Sequence, residues 1–245
     1  MRFCSRFSLI FLYITALPLY ASSYSINPLK LQAKNNTKIM EFRLTNRSSK
    51  DIPIQIQIKE WKDSNNEDVY TRTFNLIATP VTATLKPEQT QLFRIGVLVP
   101  NMSDYMQTYR LFVRELPSKL LGKVDNVKES NEQKYSDVKL NVLLDISIPI
   151  FIEPDKPLKE HFYWSYHKNE GDEYKLILNN TGNTVLKVTN IDFAMEASNY
   201  KYKNILKYIL PHQSHYWSID SNKIPTTIDA IINGNQISSK LDKAS

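Results

Sequence analysis

Cysteine, glycine and long apolar runs are all scarce in this chain of 245 residues. Its one cysteine, Cys4, has no second thiol to pair with, which excludes a disulfide-rich scaffold. Five glycines form no glycine-rich phosphate loop. After the first two dozen residues, no stretch approaches the about 20 apolar residues that a bilayer-spanning helix needs. Stability must therefore come from ordinary apolar cores.

The first 23 residues have the order of charge and polarity that is typical of a secretory signal peptide. Arg2 and Arg6 form a short basic start, residues 7–19 are almost all apolar, and small residues follow at 21–23. We therefore expect residues 1–23 to be removed on export, with a retained N-terminal anchor as the alternative. Cys4 leaves with them, so the mature chain has no thiolate for a zinc site or for cysteine catalysis.

Basic residues exceed acidic ones only modestly. Lysine and arginine number 31 against 25 aspartates and glutamates. Without Arg2 and Arg6, 29 basic residues face 25 acidic ones, a formal charge of +4. The lysines are scattered among acids rather than gathered in a stripe, so we expect no nucleic-acid partner.

Short stretches of alternating apolar and polar residues predict an all-β protein. They lie at residues 38–44, 52–58, 91–99, 109–116, 138–152, 174–178 and 185–191. Residues 179–183 are rich in Asn and Gly and predict a hairpin turn, while 202–209 show only a short helical periodicity. The pattern is typical of β-sandwiches, whose cores we expect to contain Trp61, Trp164 and Trp217.

Two prolines divide the chain. Pro154 and Pro157 interrupt strand pairing and stiffen the segment between them. We therefore predict a first domain at 24–153, a linker at 154–157 and a second, smaller domain at 158–240. Residues 118–137 are polar and lack an apolar pattern, so we expect a functional or disordered loop before the strand at 138–152.

The strand predicted at 138–148 is unusually long and regular. Its alternate positions hold Val138, Leu140, Val142, Leu144, Ile146 and Ile148. Successive side chains of a strand point to opposite faces, so these six line one face. The pattern by itself favours a strand in the core of its own sandwich. The alternative is an apolar edge that pairs with a partner strand, a feature that proteins normally suppress.

Eight short segments follow one another in an order that has a parallel in a known family. They are Asn27-Pro-Leu-Lys-Leu, Leu44-Thr-Asn46, Glu60-Trp61, Ala78-Thr-Pro80, Leu85-Lys-Pro87, Gln91-Leu-Phe-Arg-Ile95, Tyr109-Arg-Leu-Phe-Val-Arg-Glu-Leu-Pro117 and Ile148-Pro-Ile-Phe-Ile152. Together they resemble the periplasmic chaperones of the chaperone–usher pilus pathway, with details closer to the archaic, spore-coat-type branch. The second domain fits more loosely, through residues 178–183 and 208–211.

The resemblance implies two immunoglobulin-like β-sandwich domains set at an angle, in which residues 138–152 form the last strand of the first domain. Members of that family hold pilin subunits whose own sandwich lacks its final strand, and they lend a strand to complete it. The implied donor residues are Leu140, Val142 and Leu144, flanked by Val138 and Ile146. The implied partners are pilin-like subunits and an outer-membrane usher, and the implied location is the periplasm.

The resemblance also implies an anchor for the carboxylate at the subunit's C-terminus. Register matters in such an exchange, because a slip of one residue turns every side chain to the opposite face. Lys30 matches the first anchor position, where classical members have an arginine, but Pro149 occupies the second, where classical members have a lysine. Arg94 and Arg110, on strands expected to be neighbours, are candidates for the missing charge. The alternative for all three cations is an ordinary surface role.

No motif in the sequence predicts an active site, a cofactor or a metal site. His212 and His215, like His161 and His167, lack a clear acidic partner, so we expect surface residues rather than metal ligands. No Ser/His/Asp arrangement has recognisable flanks, and we therefore expect neither an enzyme nor a small-molecule substrate. A surface adhesin or carbohydrate-binding sandwich is the second hypothesis, and it requires an exposed aromatic platform.

Overall fold

The computed structural model describes residues 24–117, 144–168, 174–195, 198–202, 205–219 and 225–241. The signal peptide predicted at 1–23 lies outside these ranges. Within them every helix or strand is a β-strand, and no helix is long and apolar enough to cross a membrane. The prediction of an all-β protein is confirmed.

Ten of the described strands form the first two sheets. They are β1 (Tyr24–Asn27), β2 (Leu31–Ala33), β3 (Ile39–Asn46), β4 (Ile52–Ser64), β5 (Glu67–Arg72), β6 (Leu76–Thr79), β7 (Thr82–Leu85), β8 (Thr90–Val97), β9 (Gln107–Glu115) and β10 (Asp145–Ile152). The first sheet has the order β1-β3-β8-β6. The second has the order β2-β10-β9-β4-β5, and β7 also pairs with β4.

The period-two pattern of these strands buries one face of each sheet against the other. Phe42 on β3 and Phe93 on β8 are directly opposed, and their rings stack with centroids 5.0 Å apart. Ile54 on β4, Leu111 on β9 and Ile150 on β10 belong to the same buried cluster. Complete burial of such a side chain stabilises a fold by roughly 1.5–3 kcal/mol. The two sheets therefore form a β-sandwich.

Eight described strands form the second sandwich. They are β11 (Phe162–Lys168), β12 (Tyr174–Asn180), β13 (Leu186–Met195), β14 (Ser198–Tyr202), β15 (Lys207–Ile209), β16 (Ser214–Ile219), β17 (Thr227–Ile232) and β18 (Asn235–Lys240). One sheet has the order β11-β12-β16, and the other has the order β14-β13-β17-β18 with β15 paired to β13. Leu176 on β12, Ile191 on β13 and Ile228 on β17 lie in its core. The chain thus has two sandwiches, as predicted.

The hairpin predicted at residues 179–183 is wrong. The strands on either side, β12 and β13, belong to different sheets, so the segment forms a corner. Asn180 is buried there, and its Nδ2 donates hydrogen bonds to the carbonyls of Thr184, Ile209 and Leu210 at 2.8–3.0 Å. Asn therefore satisfies buried carbonyls instead of closing a tight turn. Residues 207–209, inside the stretch with helical periodicity, form strand β15.

A separate apolar cluster joins the two sandwiches. Trp61, Met106 and Phe151 from the first sandwich pack with Val185 and Leu210 from the second. Trp61 is only 1% exposed, so it is buried as expected, but at the junction rather than inside a sandwich. The cluster ties the end of β10 to the second sandwich, because Phe151 is one of its members.

A long hairpin adds polar contacts to this junction. β4 continues to Ser64, well past the predicted end at 58, and Asn65 and Asn66 turn the chain with φ of 55° and 70°. We call residues 59–72 the junction hairpin. At its tip, the Asn66 Oδ1 accepts a hydrogen bond from the Tyr216 backbone N–H at 2.8 Å, and its Nδ2 donates to the Tyr216 carbonyl at 3.2 Å. The tip is therefore fixed to the backbone of β16.

Candidate functional site

Strand β10 has a free edge over part of its length. On one side it pairs with β9 from Asp145 to Ile152. On the other side it pairs with β2 only through its last three residues, which lie opposite residues 31–33. Within the described part of the chain, residues 145–149 therefore have a partner strand on one side only. Their outward backbone groups can pair with an added strand.

The apolar side chains of β10 change from fully buried to partly exposed as this free edge is approached. Ile148, Ile150 and Ile152 are at most 1% exposed. Leu144 and Ile146 are partly buried and pack against the same core. Leu144 also continues the ladder, since its carbonyl accepts a hydrogen bond from the Glu115 N–H at 2.9 Å. Another apolar strand could cover the exposed parts of Leu144 and Ile146.

Three of the predicted donor residues cannot be placed. Val138, Leu140 and Val142 lie outside the described residues, whereas Leu144 and Ile146 lie inside them. The described part shows the face that the alternation predicts, because the even-numbered residues from 144 to 152 all belong to or pack against the first core. The role of the earlier residues stays a prediction.

Pro149 is buried and lies directly opposite Arg110 of β9. Proline lacks an N–H and is confined to edges and bulges of sheets, which agrees with its place at the free part of β10. In an antiparallel pair, opposed residues share a face, so Arg110 brings a cation to the position that Pro149 leaves uncharged.

The Arg110 side chain is held by aromatic rings. Its guanidinium carbon lies 3.9 Å from the ring centroid of Trp61 and 5.6 Å from that of Tyr208. Its Nε is buried without a hydrogen-bond partner among the described residues. Burial lowers the pKa of Arg110, while Tyr70, Asp68 and Tyr208 act in the opposite direction. An arginine nevertheless stays charged, and a buried donor left unsatisfied costs about 1–3 kcal/mol.

Lys30 lies at a cavity between the two sandwiches. It is exposed, and its Nζ donates a hydrogen bond to Oε1 of Gln32 at 3.0 Å. The cavity has a volume of about 660 Å³, and Phe151, Lys187 and Tyr208 also line it. Tyr208 thus borders the cavity of Lys30 and also contacts the guanidinium of Arg110. Tyr208 therefore belongs both to the cavity that Lys30 lines and to the surroundings of the Arg110 guanidinium.

Arg94 occupies a different part of the molecule. It lies on β8, in the sheet opposite β10, so its expected position on a neighbouring strand is wrong. Its Nε is 3.2 Å from Oε1 of Glu41, and both side chains are largely exposed. Exposed ion pairs of this kind contribute about 0–1 kcal/mol. The interpretation of Arg94 as an ordinary surface cation agrees with this geometry.

Sequence reasoning missed strand β5 and the environment of His215. An Asn-Asn pair can take the positive φ angles of a two-residue hairpin turn, and it was the available signal for β5. His212 is exposed as expected, but His215 is partly buried, with its Nδ1 lacking a hydrogen-bond partner among the described residues. Burial, and then the charge of Lys207, lower the pKa of His215 to about 4, while Asp68 opposes them.

Comparison with known protein families gives a match over residues 23–157. The matching family is described as "Pili and flagellar-assembly chaperone, PapD N-terminal domain". The match spans more than half of the chain and includes every strand of the first sandwich. No curated protein matches the chain.

Several solved structures share the fold over nearly the whole chain. One is the CsuC–CsuE chaperone–tip adhesion subunit pre-assembly complex from archaic chaperone–usher Csu pili of Acinetobacter baumannii, with 20% identity, a TM-score of 0.68, and coverage of 89% of this chain and 98% of that chain. A second is the SafA pilin in complex with the SafB chaperone from Salmonella enterica, with 15% identity, a TM-score of 0.61, and coverage of 89% of this chain and 96% of that chain. A third is the E. coli chaperone DraB, with 15% identity, a TM-score of 0.60, and coverage of 89% of this chain and 98% of that chain.

Proposed function

Because the chain belongs to the family of pili and flagellar-assembly chaperones, we propose that it captures pilin-like subunits in the periplasm by lending them the strand that ends in β10. The observation that carries the proposal is the free edge of residues 145–149, which among the described strands pair with β9 alone. A subunit strand added there forms main-chain hydrogen bonds with β10. This is β-augmentation, in which the backbone supplies affinity and alternate side chains supply specificity.

The alternate side chains assigned to the subunit groove are Leu144 and Ile146, preceded by Val138, Leu140 and Val142. Leu144 and Ile146 support the assignment because they are only partly covered by their own core. Removing apolar surface from water contributes about 25 cal/mol per Å², so a row of five such residues provides a large part of the binding free energy. The row also fixes register, since a slip of one residue would present polar side chains.

The partner is inferred from chaperones that have been solved with their cargo. The CsuC–CsuE structure is a complex of a chaperone with a tip adhesion subunit, and the SafB structure is a complex of a chaperone with a pilin. We assign a subunit of that class to this chain, and an outer-membrane usher as the recipient. Residues 1–23 would direct export and be removed.

Lys30 and Arg110 are the residues we assign to the subunit's terminal carboxylate. Arg110 lies opposite Pro149, and its buried Nε lacks an acceptor among the described residues. Lys30 is exposed at the cavity that Tyr208 also borders. A guanidinium can bind a carboxylate through two parallel hydrogen bonds, whereas an ammonium acts as a point charge. Arg110 would therefore orient the subunit's carboxylate, and Lys30 would add electrostatic attraction to it.

The test replaces the apolar donor face by charge. The double variant Leu140→Glu with Leu144→Glu should abolish co-purification of a co-expressed pilin-like subunit encoded beside this chain's gene, because two carboxylates cannot enter an apolar groove without a large desolvation cost. Subunit solubility in the periplasm and complex recovery by affinity purification are the measurements.

The matched control places the same charges on the other side of the strand. Asn141→Glu with Leu143→Glu adds two carboxylates at alternate positions, and subunit capture should persist within about threefold. Circular dichroism and thermal unfolding establish that both variants are folded. Unfolding of the Leu140/Leu144 variant alone would favour a core strand, and equal subunit solubility with and without wild-type protein would refute the proposed function.

A further inference from the structure

The outer face of the second sheet carries a row of like charges. Arg110 on β9 lies directly opposite Lys59 on β4, and Lys59 lies directly opposite Arg72 on β5. Neighbouring strands are about 5 Å apart, and directly opposed like charges destabilise a sheet. Arg114, four residues after Arg110 on β9, presents its side chain on the same face. We call Lys59, Arg72, Arg110 and Arg114 the cationic face.

Most of the cationic face lacks acidic partners. Of its four members, only Arg114 forms an ion pair among the described residues, with its Nε 2.8 Å from Oδ2 of Asp145. Lys59, Arg72 and Arg110 have no carboxylate oxygen within the 4.0 Å of a salt bridge in that part of the chain. Arg72 is exposed, and the other three are partly exposed. The fold therefore leaves three positive charges of one row without a salt-bridge partner among the described residues.

Aromatic rings hold these cations in place. The Lys59 Nζ lies 5.5 Å from the Phe112 ring centroid, and the Arg114 guanidinium carbon lies 5.7 Å from the same ring on its own strand. The Arg72 guanidinium carbon lies 4.6 Å from the Phe74 ring. Cation–π contacts restrict long side chains that would otherwise move freely in water. The row is thus ordered before any partner arrives.

The cationic face is continuous with the free edge of β10. Phe112 and Arg114 of β9 lie opposite Ser147 and Asp145 of β10. A strand added to β10 would lie about 10 Å from β9 and about 15 Å from β4, at one strand spacing of about 5 Å per step. A loop or side chains of a bound globular subunit, rather than the added strand itself, can span that distance.

We propose that the cationic face is a second docking surface for the captured subunit, and that this subunit presents an acidic segment to it. The inference rests on the proposed function in one respect, namely that the protein bound at β10 is the one that covers the face. Opposite charges steer encounter and orient the partner more than they add affinity. The face would therefore accelerate capture and select subunits with an acidic surface beside the groove.

The experiment reverses two charges that are outside the proposed carboxylate anchor. Lys59→Glu with Arg72→Glu is compared with Arg43→Glu with Lys86→Glu, which makes the same change in net charge at exposed positions outside the cationic face. Each protein is mixed with the urea-unfolded pilin-like subunit encoded beside its gene, and the rate of complex formation is followed by tryptophan fluorescence at several NaCl concentrations. We expect about a tenfold slower capture for the first pair at low salt, and less than a twofold change for the second.

The salt dependence separates this inference from the proposed function. If wild type captures the subunit and the Lys59/Arg72 variant keeps both its rate and its salt dependence, the docking surface is refuted while strand donation stands. If wild type captures no subunit, both are refuted. Binding of a DNA oligonucleotide or of phosphatidylglycerol vesicles that the variant loses, with subunit capture unchanged, would assign the face to another anion and overturn the inference.

Discussion

Each sandwich has a free strand edge near the end of its sequence, and the two edges differ in character. In the first sandwich the free part of β10, residues 145–149, has the sequence DISIP, and its two isoleucines, Ile146 and Ile148, pack against or belong to the core. β18 in the second sandwich has the sequence NQISSK, and among the described strands it pairs only with β17. Four of its six residues are exposed, and the two partly exposed ones are Ile237 and Ser239. The first edge has two isoleucines on its core face, of which Ile148 is fully buried, whereas the second has one partly exposed isoleucine among polar residues.

This difference supports the free part of β10 as the edge that receives a partner strand. Natural sheets protect their edges with polar or charged residues and short strands, because an apolar edge invites pairing with other chains. β18 is protected in this way. Isoleucines at the free part of β10 raise the risk of aggregation, and the proposed strand donation explains why they are present. We expect the second sandwich to act instead as a support, attached to the first by the apolar cluster around Trp61 and by the junction hairpin.

The largest expected effect on subunit capture comes from a comparison of two single variants, each of which places one carboxylate on one of the two edges. Ile146 and Ile237 are both partly buried isoleucines on edge strands, and each packs against its own core. Ile146→Glu should weaken subunit capture by about 100-fold, because the carboxylate would be desolvated in the complex. Ile237→Glu should leave capture within about twofold. Affinity measured with a pilin-like subunit compares the two.

Stability provides the control for this pair. Both substitutions should lower the free energy of unfolding by a similar amount, about 1–2 kcal/mol, because both side chains lose comparable apolar packing. Chemical denaturation measures this directly. If the two variants lost capture equally, the distinction between an open and a protected edge would be wrong.

An intermediate effect is expected at the junction, where the support role of the second sandwich can be examined. Lys207 Nζ lies 3.2 Å from Asp68 and 3.7 Å from Asp63, and it is 20% exposed. Lys207→Ala leaves two neighbouring carboxylates uncompensated, so we expect a loss of about 2 kcal/mol in unfolding free energy. Subunit affinity should change by less than about threefold. Denaturation and binding measurements on one variant give both values.

A second ion pair near the junction is the matched control for Lys207. Lys156 Nζ lies 2.7 Å from Asp104, but the two side chains are 64% and 71% exposed. Lys156→Ala should therefore cost less than about 0.5 kcal/mol. A loss of subunit capture by Lys207→Ala as severe as that of Ile146→Glu would mean that the second sandwich takes part in binding.

The smallest expected effect is a dependence of junction stability on pH. The folded-state pKa of His215 is about 4, below the unfolded value of about 6.5, so the folded protein binds this proton less readily. The contribution of neutral His215 to the free energy of unfolding is complete above about pH 6.5 and is lost as the pH falls toward 4. Because His215 is partly exposed, we expect its protonation to lower the free energy of unfolding by about 1–2 kcal/mol, less than the full pKa shift would give.

His215→Asn removes the titrating group and should flatten the stability profile between pH 6.5 and 4. His212→Asn is the control, because His212 is exposed and an asparagine tolerates its φ of 59°. Thermal unfolding across this pH range measures both. An unchanged slope in the His215 variant would show that another group controls the acid response of the junction.

Local alternation was enough to predict which residues of β10 face the core. The even-numbered residues from 144 to 152 do so, because side-chain direction in a strand is set by a period of two. The same local information could not assign sheets. Arg94 and Arg110 occur in equally β-rich stretches, yet only Arg110 lies in the sheet of β10. Strand order is decided by packing between distant segments, which no single stretch contains.

Polar residues with tertiary roles were also beyond reach from the sequence. Asn180 looks like a turn residue because asparagine is common in turns, but its amide satisfies three carbonyls at a corner between sheets. His215 looks like a surface residue until the junction hairpin is placed beside its strand. In both cases the partners come from elements distant in sequence, and the local pattern gives no indication of them.

The short strand β2 has a consequence for how far a guest strand can slide. It occupies the outer side of β10 from Ile150 onward, and the residue just before is Pro149, which offers no N–H for pairing. A strand that is added along residues 145–149 must therefore end at this point. β2 and Pro149 together set a fixed end point for the guest strand. The register and length of that strand are then measured back from this point along β10.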